Sequence, residues 1–311
     1  MLGGGASTLL SRQAILNLSP SEVAVMLLAL PAHGILWSRR REYVNAVLCR
    51  EENNGRPILE CLCKEYVLTS VLLSAVLKVK EVWVYRSWIV SQWINYYYST
   101  CHGIREEDRQ GLIGRLALQD NVLFCFAAEN HRLNYNAWQY RREVYIARSI
   151  HTSDQCALLT EEMNMGMRFL RTNNGDSSAV SYLLFLLRHA ETVHVLPFLH
   201  DCWRQLLSFT QLELRLRADK GHECMWYLRL ELVKWALRQT SLSCGWTVEE
   251  ELNWVSAFVD GAAGGLLTPV NVARDAWVRC SGDGCWSSYY ACRYGLQLIS
   301  VIKGGAWPGS C

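Results

Sequence analysis

Apolar residues along this chain recur mostly at three- and four-residue spacing, the period of a helix with one buried face. SDQCALLTEEMNMGMRFLR (153–171) and FLHDCWRQLLSF (198–209) follow that pattern with charges on the opposite side. YVLTSVLLSAVLKV (66–79) is apolar nearly all round and reads as a buried helix. Alternation at a period of two is scarce, so strands are not expected. Loop-like stretches fall between the periodic segments: TCHGIREED (100–108), TNNGD (172–176), ADKGH (218–222) and GAAGG (261–265).

A second pattern is laid over the first. An aromatic residue followed three positions later by arginine occurs at Trp37 and Arg40, Trp83 and Arg86, Trp138 and Arg141, and Trp226 and Arg229. The spacings between the aromatics are 46, 55 and 88, the last being twice 44. A missing unit is therefore expected near residue 182. There DSSAVSYLLFLLRHA (176–190) offers Tyr182 in the aromatic place, Ser178 in the capping place and Phe185 where arginine should stand. Tyr290 and Arg293 make a weak sixth copy. The extra residues between Trp83 and Trp138 fit a longer connection carrying the charged IREEDRQ.

A period near 44 fits two helices of about 15 residues with two turns. The predicted architecture is all-α, a solenoid of antiparallel helix pairs whose first helices carry the aromatic and the arginine. It forms a single helical-repeat domain over 21–303, between a flexible N-terminus (1–20) and a flexible tail (304–311).

Composition narrows the function classes. The 311 residues carry a formal net charge of +2, too balanced for nucleic acid or anionic membrane as the main partner. No apolar run reaches the roughly 20 residues of a transmembrane helix. The opening MLGGGASTLLSRQ lacks the basic start and unbroken apolar core of a signal peptide. Thirteen cysteines without a dense framework therefore read as mainly reduced residues of a cytoplasmic protein. Their spacing does not make a zinc site, and His189, His194 and His200 read as core or surface residues rather than ligands. The run Glu249, Glu250, Glu251 after Thr247 reads as a solvated first helical turn, favoured by the helix dipole. No Ser-His-Asp, P-loop or GxGxxG arrangement is present.

The clearest copy of the motif is NHRLNYNAWQYRREV (130–144), where Asn134, Trp138 and Arg141 share one helical face. The plainest reading is mechanical: the indole fills a gap between hairpins, the arginine reaches carbonyls at a neighbouring helix end, and the asparagine caps.

NYNAWQYRREV also resembles the N-Y-x-x-W-x-x-R repeat of protein prenyltransferase α subunits. The resemblance spans Trp37 to Arg229 and extends toward Arg293. In the order of its units, including Asp176 with Ser178 and the run Gly221, His222, Glu223, Trp226, Arg229, it is similar to a diverged repeat-containing branch of that family. It implies a right-handed superhelix of hairpins embracing a β subunit. That partner would hold the catalytic zinc and the isoprenyl diphosphate, with no cofactor in this chain. The acceptor would be a protein with a cysteine in its C-terminal region, and geranylgeranyl is favoured over farnesyl. The β-subunit or isoprenoid-wall contact would fall at His131, Asn134, Tyr135 and His222. Leu133 stands where the family carries a basic residue, leaving Arg132 as the candidate diphosphate contact. The alternative is a non-enzymatic helical-repeat scaffold, for which a period near 34 is expected.

Overall fold

The computed structural model describes residues 12–49, 56–100, 120–193, 196–216, 223–238, 246–259 and 286–302. Among them every regular element is a helix and none is a strand. The loops 218–222 and 261–265, and the connection carrying IREEDRQ, lie outside the described residues, as do His194 and His222.

The chain divides into two compact units, meeting in sequence between Ser153 and Asp154. The first holds α1 (Arg12–Leu16), α2 (Pro20–Ala29), α3 (Gly34–Leu48), α4 (Arg56–Ala75), α5 (Lys80–Thr100), α6 (120–130) and α7 (Tyr135–Ser149). The second holds α8 (Gln155–Thr172), α9 (Ser177–Thr192), α10 (Leu196–Leu216), α11 (Glu223–Arg238), α12 (Val248–Val259) and α13 (Trp286–Ile302). α1 falls inside the N-terminal stretch, yet its Ile15 is fully buried and the helix packs on α3.

Local chemistry starts these helices where it should. Ser19 and Glu22 close a capping box around Pro20 at the first position of α2, and Thr247 and Glu250 exchange the same reciprocal bonds before α12. Asp154 caps α8 by accepting from the backbone N–H of Ala157. The expected turn at 172–176 is present, between the end of α8 and the start of α9.

Neighbours in sequence pack as neighbours in space. In the first unit α2 lies on α3, α3 on α4 and α4 on α5. In the second, α8 lies on α9, α9 on α10, α10 on α11 and α12 on α13. The motif-bearing helices also pack directly on one another, as α3 on α5, α5 on α7, α9 on α11 and α11 on α13. Each unit is thus built in two layers, with motif helices in one and intervening helices in the other.

The apolar run at 66–79 is only half buried, contrary to its reading as a wholly interior helix. Leu72 and Leu73 face the core, whereas Val67 and Val71 are exposed, because α4 is an outer-layer helix with packing partners on one side. No described helix is long and apolar enough to cross a membrane.

One backbone position is out of the ordinary. Leu133, in the turn between α6 and α7, has φ 57°, the left-handed region that costs a non-glycine residue about 1–2 kcal/mol. Its side chain is half exposed. Leu133→Gly should therefore stabilise the chain by about 0.5–1 kcal/mol in urea unfolding, the relief being partly offset by glycine's larger entropy loss. A destabilised variant would mean that the leucine side chain contributes packing that outweighs the strain.

Candidate functional site

Three of the motif arginines end in the same buried arrangement. Arg40 on α3 binds both carboxylate oxygens of Glu65 on α4, and Glu65 also accepts from the hydroxyl of Tyr85 on α5 at 2.9 Å. Arg229 on α11 grips Glu251 on α12 at 2.6 and 2.7 Å, and Glu251 accepts from Tyr294 on α13 at 2.7 Å. Arg86 on α5 binds Asp120 on α6 at 3.0 and 2.8 Å. Tyr140 on α7 stands in the third place, its ring centroid 5.9 Å from that guanidinium. Burial first, and then the Asp120 charge, hold the Tyr140 phenol well above its usual pKa.

The remaining donors of Arg86 and Arg229 reach hydroxyls and carbonyls in the interior of the intervening helices, not the carbonyls at a helix end that the sequence suggested. Arg86 donates to the hydroxyls of Thr69 and Ser70 and to the Tyr66 carbonyl, and Arg229 to Thr210 and the Leu207 carbonyl. All three arginines and their three carboxylates are buried. Bidentate or shared charge-assisted bonds of this kind satisfy ions that would otherwise be very costly to desolvate. The Arg40 and Arg229 clusters each tie a motif helix, the intervening helix and the next motif helix by hydrogen bonds. At Arg86 the Asp120 Oδ2 and the Tyr140 hydroxyl are buried without a hydrogen-bond partner among the described residues, and α7 adjoins the cluster through the Tyr140 ring.

The carboxylates are what the sequence reading missed. Glu251 is not part of a solvated run: its neighbour Glu250 caps α12 at the surface, while helical rotation carries Glu251 inward to Arg229. A signal was there to be found, because the acid stands twenty residues before its tyrosine in Glu65 and Tyr85, and again in Glu162 and Tyr182.

The indoles fill the joints. Trp37 packs on Tyr85 at 4.6 Å, Trp83 on Tyr140 at 5.2 Å and Trp226 on Tyr294 at 5.4 Å between ring centroids. Trp37 and Trp83 each donate their ring N–H to a carbonyl six residues back, that of Pro31 and that of Leu77. Trp138 is buried edge-on against Phe124. Arg141 is buried as well and donates to the Asn121 side chain at 3.1 Å.

Two units need a corrected register. Asn134 caps α7 by accepting from the N–H of Ala137, three residues on, and Asp176 caps α9 by accepting from Ala179 in the same relation. Asp176, not Ser178, is therefore the counterpart of Asn134. The indole place is then Val180, Tyr182 matches Tyr85 and Tyr140, and the arginine place is Leu183 rather than Phe185. In the sixth unit the residue that reaches the carboxylate is Tyr294, which puts Cys292 in the indole place and Gly295 in the arginine place. Arg293 instead lies at the surface, paired with Glu223.

The turn expected to meet a partner is split by burial. His131, Arg132, Leu133 and Tyr135 are exposed, and Val122 and Phe126 on α6 are exposed too. Asn134 is 1% exposed and its side chain is spent: besides capping α7 it donates to the Leu77 carbonyl at 2.8 Å. Asn136 adds a bond to the Lys78 carbonyl, so the α4–α5 and α6–α7 turns are laced side by side. Asn134 therefore positions the turn, and only its neighbours offer side chains to a partner.

Cysteine chemistry separates two close residues. Cys61 is buried beside Glu65, and burial pushes its thiol up to about 11, whereas Cys63 is exposed. Because the thiolate is the nucleophile, iodoacetamide at pH 7.5 should label Cys63 readily and leave Cys61 intact in the folded protein. Equal labelling by peptide mass spectrometry would contradict the packing of α4.

No family model and no curated protein matches this chain.

Proposed function

We propose that this chain is the α-type subunit of a heterodimeric protein prenyltransferase. In this reading it is a right-handed superhelical solenoid that clasps a β subunit in the cytoplasm. The observation that carries the reading is the motif of 134–141, with Asn134 as cap, Trp138 and Arg141 buried, and the same indole and guanidinium recurring at 37 and 40, 83 and 86, and 226 and 229. Exposed apolar side chains add support. Val25 and Leu28 on α2, Val67 and Val71 on α4, and Val122 and Phe126 on α6 stand in solvent, as expected of a chain that evolved to be covered.

The chemistry would be attack of a protein cysteine thiolate on an allylic isoprenyl diphosphate, with geranylgeranyl favoured over farnesyl. The β subunit would hold zinc and diphosphate. This chain would supply a wall at His131, Arg132 and Tyr135, with His222 as a further contact. Developing charge on a leaving diphosphate calls for a cation, and Leu133 supplies none, so Arg132 takes that role. The same leucine favours a second reading, a non-enzymatic helical-repeat scaffold whose turn serves only as an apolar contact.

Transfer of a labelled isoprenyl group to a cysteine-bearing acceptor separates the two. The chain co-purified with a prenyltransferase β subunit should be active and the chain alone inactive. Arg132→Ala should then slow single-turnover transfer about tenfold, the loss of one charge-stabilising contact, and Leu133→Lys should speed it. An inactive co-purified complex would favour the scaffold.

A further inference from the structure

The buried cluster that joins α3 to α5, α5 to α7 and α11 to α13 is replaced at the joint between α9 and α11. With the register set by Asp176, the arginine place on α9 is Leu183. The tyrosine place on α11, two residues after Trp226, is Leu228. The carboxylate place on α10 follows from the neighbouring bonds. Glu65 directly precedes Tyr66, whose carbonyl receives Arg86, and the residue directly preceding Leu207, whose carbonyl receives Arg229, is Leu206. Arginine, acid and tyrosine have all become leucine, and Leu183, Leu206 and Leu228 are each fully buried.

A cleft of about 450 Å³ opens at the same joint, walled by Leu184 and Leu187 on α9 and Trp235 on α11. Its rim carries Arg188 and Glu231, whose charged ends stand 3.9 Å apart, too far for a firm bond. On its other side α9 is seated tightly. A Cβ on Gly166 of α8 would come within 2.6 Å of the Leu183 side chain, so α8 and α9 are closely fitted.

We infer that the α9–α11 joint is an articulation built into the second unit, at which α11 shifts against α9 while α8 and α9 move together. Bidentate ion pairs and short hydrogen bonds hold a joint at one geometry, because a small rotation breaks them. Leucine contacts are non-directional, so several packings differ little in energy, and the cleft leaves one side of the joint open to solvent rather than packed. The inference concerns the breadth of geometry and not strength, since apolar replacement of a buried ionic cluster often leaves stability intact. It stands independently of the proposed prenyltransferase role.

Methyl relaxation dispersion on the full-length protein tests it, because motion of packed helices falls in the microsecond-to-millisecond range. Leu184 and Leu187 should show exchange, while Val255 on α12 and Leu298 on α13, the two helices that the Arg229 cluster joins to α11, should show flat profiles. Leu184→Phe, which pushes a ring into the cleft, should quench the exchange at Leu187. Flat profiles at both joints, equal exchange at both, or exchange at Leu187 unchanged by Leu184→Phe would each overturn the articulation.

Discussion

Arg86→Ala is expected to lower the unfolding free energy by about 3–5 kcal/mol, among the largest effects of any single substitution in the chain. Arg86 is fully buried and donates to Asp120, Thr69, Ser70 and the Tyr66 carbonyl, with its guanidinium 4.0 Å from the Tyr66 ring centroid. Removing it leaves the Asp120 carboxylate desolvated with no cation, and the cost of an uncompensated buried charge dominates the lost attraction. The same reasoning predicts rescue. Replacing the cluster as a set, Arg86→Leu with Asp120→Leu and Tyr140→Leu, should recover most of the loss, since the leucines at 183, 206 and 228 already serve at another joint. Urea unfolding followed by circular dichroism measures both. A single variant within about 1 kcal/mol of the parent would mean that Asp120 is solvated and the cluster is not closed.

Trp138→Ala should cost a similar amount, about 3–5 kcal/mol, for a different reason. The indole is 1% exposed and meets the edge of Phe124 at 4.9 Å between centroids. Truncation removes its transfer free energy and leaves a void that two packed helices cannot fully close. Trp138→Phe should retain a good part of the stability because it keeps a ring in the joint. A melting temperature unchanged by the alanine variant would show that the indole does not fill the space between α6 and α7.

The helices and the places of the strongest motif residues were legible because their signals are local. A helical period shows within a dozen residues, and Trp with Arg three positions on stands out at 37, 83, 138 and 226 by its spacing, the further pair Trp235 and Arg238 falling outside that register. What closes the joints was not legible in the same way. Glu65, Asp120 and Glu251 lie 25, 34 and 22 residues after their arginines, and loops of unequal length erase any fixed spacing. The acid-to-tyrosine interval is 20 residues for Glu65 with Tyr85 and for Glu162 with Tyr182, though 43 for Glu251 with Tyr294, and the shared interval would have put Tyr182 in its proper place. Aromatic character alone could not do so: a tyrosine two residues beyond the indole position satisfies the same pattern when the indole itself has become Val180. Asn134 illustrates a further limit. Its type and position announce a cap, but only the Leu77 and Ala127 carbonyls, brought in from elsewhere in the fold, show that both N–H groups of its amide are directed inward.

A chain that serves as one half of a heterodimer should sediment with its partner. The decisive measurement is sedimentation of this chain with a purified prenyltransferase β subunit. A single boundary is expected, at the summed mass of the β subunit and this 35.6 kDa chain in equal proportion, with Tyr135→Ser weakening the association. Two independent boundaries at micromolar concentration, with each protein folded by circular dichroism, would contradict it.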